Sequence, residues 1–169
     1  MFKKTVLLLS LSSAIISCGV ANAEDTVSKD MQVTLTVLKA CTLSTNPLKF
    51  ANAYSNAGAQ EANTTATVTC TKDTGYYLTA SSANSYNMMG STAVGSTGKS
   101  TSSSIAYTLA ATMDGDTTRQ DLTTASTDVA STGTGSAQTV TLYGDVTASA
   151  LQNAPAGDYS DTVTLTVNY

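Results

Sequence analysis

The 169-residue chain has no histidine and no tryptophan, and only two prolines and two phenylalanines. Without histidine the usual general base and the commonest metal ligand are both missing, so neither a Ser-His-Asp nor a Cys-His arrangement can be assembled. Charge is scarce as well, at 12% of residues with a formal net charge of −4. The eight lysines and arginines form no cluster, which argues against nucleic acid or an anionic membrane surface as partner. After residue 23 no apolar run approaches the roughly 20 residues needed to span a bilayer. What the chain does have is Ser and Thr, about a third of the residues beyond 23, a composition that favours strands and turns over helices.

The first residues read as a segment to be removed. Lys3 and Lys4 give a positive start, TVLLLSLSSAIIS an apolar stretch, and Ala21-Asn22-Ala23 a small-x-small cleavage site, so residues 1–23 are expected to be an export signal peptide. Ile15-Ile16-Ser17-Cys18 loosely fits the residues before a lipidated cysteine, which offers a second reading of the same stretch. Cleavage after Ala23 leaves 146 residues with six basic against 12 acidic side chains, sized for one domain. Of the three cysteines, Cys41 and Cys70 then remain, and an even pair in an exported chain is expected to form a structural disulfide.

Beyond the signal the dominant period is two. Met31, Val33, Leu35 and Val37 alternate with Gln32, Thr34 and Thr36, and the same rhythm returns in residues 65–71, 75–81, 104–112, 138–146 and 159–169. The pattern predicts an all-β sandwich. Residues 81–104 and 123–137 are rich in Ser, Gly, Thr and Ala without a helical stripe, and read as long loops with irregular strand pieces. The pentapeptide VTLTV occurs twice, at 33–37 and 163–167, but both copies obey ordinary strand chemistry and are not an internal repeat. The second copy creates a difficulty. Val163, Leu165 and Val167 alternate up to Tyr169 with nothing to cover the adjacent sheet edge, and an apolar edge left bare is a template for pairing.

Several chemical motifs dissolve on inspection. AVGSTGKS at 93–100 meets a relaxed phosphate-loop pattern, but no strand precedes it and no helix follows. Asp114, Asp116 and Asp121 suggest calcium, yet Arg119 and Ala125 stand where an EF-hand loop needs glycine and glutamate. Tyr76, Tyr77, Tyr107 and Tyr143 could form a carbohydrate platform, although strand tyrosines more often pack half-buried. No cofactor, metal, small-molecule substrate or enzymatic activity is expected.

Three stretches then carry a resemblance: Cys41-Thr42-Leu43-Ser44 with Asn46-Pro47-Leu48-x-Phe50, the second cysteine in Thr67-Val68-Thr69-Cys70-Thr71, and the closing AGDYSDTVTLTVNY from Ala156 to Tyr169. They are similar to the spore coat U-like pilin subunits of archaic chaperone-usher pili. Members often carry a tryptophan-glycine feature after the central strands, which this chain lacks. The resemblance implies an incomplete immunoglobulin-like β-sandwich completed by a donor strand, with residues 24–38 as the donor extension and 39–169 as the pilin domain. It implies polymerisation of pilin subunits by donor-strand complementation, helped by a periplasmic chaperone and an outer-membrane usher, into surface fibres serving adhesion and biofilm formation. Met31, Val33, Leu35 and Val37, at 10, 8, 6 and 4 positions before Cys41, match the family's inward donor residues. Val163, Leu165 and Val167 are the expected acceptor side, and Tyr169 the expected chaperone contact. The competing reading is a self-contained periplasmic or lipidated binding module whose own first strand closes its sheet.

Overall fold

The computed structural model describes residues 25–90, 103–113, 115–123 and 129–169. The export-signal stretch and the phosphate-loop match at 93–100 lie outside them, as does Asp114. Residues 25–35 and 36–169 are two separate units. In the first there is neither helix nor strand, and Met31, Val33 and Leu35 are 83%, 81% and 88% exposed.

In the second unit the alternating stretches become strands because each finds an antiparallel partner. In chain order these are β1 (Cys41–Thr45), β2 (Gln60–Cys70), β3 (Gly75–Ser82), β4 (Asn87–Gly90), β5 (Ser104–Ala106), β6 (Thr108–Met113), β7 (Gln120–Asp121), β8 (Ala130–Thr132) and β9 (Gln138–Val146). A short helix α1 (Ala148–Gln152), β10 (Tyr159–Ser160) and β11 (Val163–Asn168) complete the order. One sheet has five strands in the order β1-β2-β9-β6-β7; two three-stranded sheets run β10-β4-β5 and β11-β3-β8. The fold is an all-β, immunoglobulin-like sandwich.

Period two explains the core. Ala66, Val68 and Cys70 on β2 and Val140, Leu142 and Val146 on β9 point inward and are almost fully buried, joined by Tyr76 and Leu78 of β3 and by Ile105 and Leu109. Their outward neighbours on β2 and β9 are largely hydroxyls, and register places Ser44, Thr67 and Thr139 in one cross-strand row and Thr65, Thr141 and Thr112 in the next. Leu122 and Val129, which flank the Ser/Thr-rich stretch, are also buried.

The structure departs from the sequence expectation at two breaks. Residues 104–112 are not one strand. Tyr107 separates β5, which pairs with β4, from β6, which pairs with β9, so the chain changes sheets there. Residues 159–169 divide likewise at Asp161 and Thr162, with β10 on β4 and β11 on β3. The helix α1 was not anticipated either; Thr147 starts it by accepting a hydrogen bond from the Ala150 backbone N–H at 3.2 Å. Residues 31–37 alternate like a strand but form none in this structure.

Cys41 and Cys70, partners across the β1–β2 ladder, are joined by a disulfide with a sequence separation of 29. Gly133 passes so close to this corner that an added Cβ would lie 2.5 Å from the Thr71 carbonyl oxygen and 2.7 Å from the Cys70 Cβ. A loop of this length confers roughly 3 to 4 kcal/mol through the unfolded chain. Cys41→Ser/Cys70→Ser is therefore expected to lower unfolding stability by about that amount. Chemical denaturation of the double variant beside the oxidised parent measures it, and an unchanged midpoint would contradict the assignment.

Candidate functional site

The chemically distinctive region is the margin of β11. This strand pairs with β3 from Val163↔Ser82 to Asn168↔Tyr77 and has no partner on its other edge among the described residues. β1 likewise ends the five-stranded sheet, paired among the described residues with β2 alone. The inward residues of β11 show the consequence. Val163, Leu165 and Val167 pack against the core yet remain only half-buried, whereas the matching residues of β2 and β9 are nearly inaccessible. Beside them opens a cleft of about 1180 Å³, lined by Val163 and Leu165, by Leu48 and Phe50 of the β1–β2 connection, and by Ile105, Leu109, Leu142 and Val146 among others. Val167 is not part of its lining.

A hydrogen-bonded corner fixes the start of β11. The Asp161 carboxylate accepts from the Ser82 hydroxyl at 2.5 Å, the Tyr107 hydroxyl at 2.7 Å, the Asn84 amide at 2.9 Å and the Thr162 backbone N–H at 2.8 Å. Burial pushes this carboxyl up, but those four donors outweigh it and hold Asp161 below the usual carboxylate range. Burial and the Asp161 contact together push the Tyr107 hydroxyl far above its ordinary value, so it stays a donor. Tyr86 stands edge-on to Tyr107 with ring centroids 5.9 Å apart, and adopts a left-handed φ of 58°. Its single hydroxyl proton is shared between the carbonyls of Ala80 at 2.9 Å and Leu122 at 3.0 Å, and its N–H donates to Ser82 Oγ at 2.7 Å, bonds that hold the strained backbone in place.

Sequence reasoning had picked out Val163, Leu165 and Val167, which share one face of β11, and Tyr169, which is 59% exposed. Val37 is 72% exposed. It overlooked the Asp161 corner, because no local pattern links residues 82, 107 and 161. It overlooked Gly144 too, although a glycine inside the alternating run QTVTLYGDV signals a close approach. An added Cβ there would lie 2.8 Å from Leu48 Cδ2 and 2.9 Å from Phe50 Cζ.

The other candidates assemble no site among the described residues. Tyr76 and Tyr107 are buried, and the Arg119 guanidinium lies 3.9 Å over the Tyr143 ring, so these tyrosines offer no common platform. Asp116 and Asp121 accept from the backbone N–H groups of Thr118 and Thr123, and no group of three metal-binding side chains occurs among the described residues.

A family model described as the Spore Coat Protein U domain matches residues 27–166. The chain belongs to this family. No curated protein matches the chain significantly. Among solved structures, a chain from the work described as "Chaperone-tip adhesin complex is vital for synergistic activation of CFA/I fimbriae biogenesis" is similar at 13% identity with a TM-score of 0.38. That similarity covers 72% of this chain and 38% of the other. In this Spore Coat Protein U domain, then, an apolar cleft opens beside β11, a strand with one edge unpaired among the described residues.

The Asp161 corner gives a pH signature. Because its folded pKa is depressed, the stability it confers is fully present above the unfolded carboxylate value near 4 and is lost as pH falls through the folded one. Asp161→Asn should lower stability at pH 7 by about 1 kcal/mol and leave less acid sensitivity below pH 4, measured by denaturant titration at both pH values. Equal acid sensitivity in variant and parent would contradict the role given to this carboxylate.

Proposed function

We propose that this protein is a structural pilus subunit that polymerises by donor-strand complementation: the alternating N-terminal segment of one copy adds a strand to the open margin of β11 in the next. The observation that carries the reading is the half-burial of Val163, Leu165 and Val167 beside the 1180 Å³ cleft, on a strand with one edge unpaired among the described residues. Membership of the Spore Coat Protein U family supports it. So does the tail, where Met31, Val33, Leu35 and Val37 carry apolar side chains at strand spacing and are all at least 72% exposed.

The physics of such a union is strand addition. Ladder hydrogen bonds to the free edge of β11 supply affinity, and each apolar donor side chain buried in the cleft contributes roughly 1.5 to 3 kcal/mol before the ordering entropy of the tail is subtracted. A slip of one residue would turn all four side chains to solvent, so the register is specified by the alternation. The union is then hard to reverse, since leaving requires the whole ladder to be lost together. On this reading residues 24–38 are the donor extension and 39–169 the receiving domain. A periplasmic chaperone protects the cleft before assembly, with Tyr169 among its contacts, an outer-membrane usher exports the subunit, and the product is a surface fibre for adhesion and biofilm formation.

Co-expression with a chaperone of this class followed by unheated denaturing electrophoresis tests the proposal. Multiples of the subunit that collapse to one band on boiling are expected. Val33→Asp/Leu35→Asp should abolish the multiples by placing charge in an apolar site while leaving the thermal unfolding midpoint of the domain within a few degrees. A single unheated band from the parent, as for a self-contained periplasmic or lipidated module, would overturn it.

A further inference from the structure

We infer that residues 47–50 form a retaining strap: Leu48 and Phe50, seated at Gly144, close over an extended strand once it occupies the cleft and slow its departure. The inference rests on the reading of that cleft as a strand acceptor.

The segment is attached in an unusual way. Asn46 makes the last bonds to β2, its backbone N–H and its side-chain amide both donating to the Thr65 carbonyl at 3.1 and 3.2 Å. From residue 47 to 53 no hydrogen bond fixes the chain among the described residues. Position is held by side chains. Leu48 and Phe50 reach the inner face of β9, where the missing Cβ of Gly144 makes room for them, between the buried Leu142 and Val146. The seat is wide on one side because the cross-strand neighbour of Gly144 on β2 is Ala62.

Both side chains are only half-buried and both line the cleft. One flank of each therefore rests on β9 while the other faces open space. An apolar strand entering beside β11 covers that open flank, so the closed position gains buried area only when the cleft is filled. No ladder has to break for the segment to move, since none holds it. A contact that forms after entry acts on the rate of leaving more than on the rate of arrival.

The test uses the full chain carrying Val33→Asp/Leu35→Asp, so that its own tail does not compete, and a fluorescent synthetic peptide of residues 24–38 as the strand. Leu48→Ala/Phe50→Ala should speed peptide dissociation by about tenfold with association changed by less than about threefold. Leu48→Met/Phe50→Leu should restore slow release. Should the alanine pair fail to fold, Gly144→Ala gives a second route, because its Cβ forces the tips of both side chains to shift from their seat and is expected to speed release in the same sense. Hydrogen exchange of residues 47–53 should slow when the peptide binds. Unchanged dissociation in every variant that folds, or exchange unaffected by the peptide, overturns the strap while leaving strand acceptance intact. Failure of the peptide to bind the parent cleft overturns both readings.

Discussion

A β-strand can bury its side chains fully only when something lies beside it as well as across from it. β2 and β9 have hydrogen-bonded neighbours on both edges, and their inward residues reach 0–4% exposure at Val68, Val140, Leu142 and Val146. β11 carries the same kind of residues at the same spacing, but with one paired edge Val163, Leu165 and Val167 stop at half-burial. The difference is not composition. It is that no strand flanks its second edge among the described residues, which leaves apolar surface and a row of backbone donors and acceptors beside a cleft. An assembled neighbour, on the reading proposed above, supplies the missing flank.

An open margin of this kind survives only if the rest of the sandwich does not collapse into it. Three features oppose collapse. The disulfide ties the start of β1 to the end of β2, so these two strand ends are covalently fixed to each other. Three hydrogen bonds to Asp161, from Ser82, Asn84 and Tyr107, pin the start of β11 to the end of β3 and to the crossover residue. Leu48 and Phe50, packed at Gly144, hold the β1–β2 connection against β9 by side chains, with no backbone ladder among the described residues. Two of these are rigid and one rests on side chains alone, which places the adaptable element at the β1–β2 connection.

The period-two rhythm made the fold class and most strands legible, because alternation is set by one face being dry and the other wet, and a strand carries that record locally. The breaks at Tyr107 and at Asp161–Thr162 were not legible, since a strand that changes sheets keeps its alternation and differs only in which partner it bonds. The two-residue β7 is too short to show a period. The helix α1 is five residues long and contains no fully buried residue, so it leaves no apolar stripe; its cap, Thr147, is invisible in a chain full of threonine. Of the candidate site, the residues on β11 could be read from the alternation and from the family resemblance. The Asp161 corner depends on contacts 54 to 79 residues apart in sequence, which no local pattern encodes.

The repeated pentapeptide bears on what the tail requires. VTLTV at 163–167 lies in β11, whereas VTLTV at 33–37 lies in no strand, and Val33, Leu35 and Val37 are 72–88% exposed. Intrinsic β-propensity is the same for both copies, so propensity does not decide between the two states. What the second copy has is an edge, that of β3, whose carbonyls and N–H groups complete its ladder and whose Leu78 is the Cα partner of Val167. The first copy needs the same two things, a ladder partner and an apolar surface to lie on. On the reading proposed above, the edge of β11 left unpaired among the described residues and the cleft beside it offer both, and the tail would bring to them the same pentapeptide that pairs with β3 in β11.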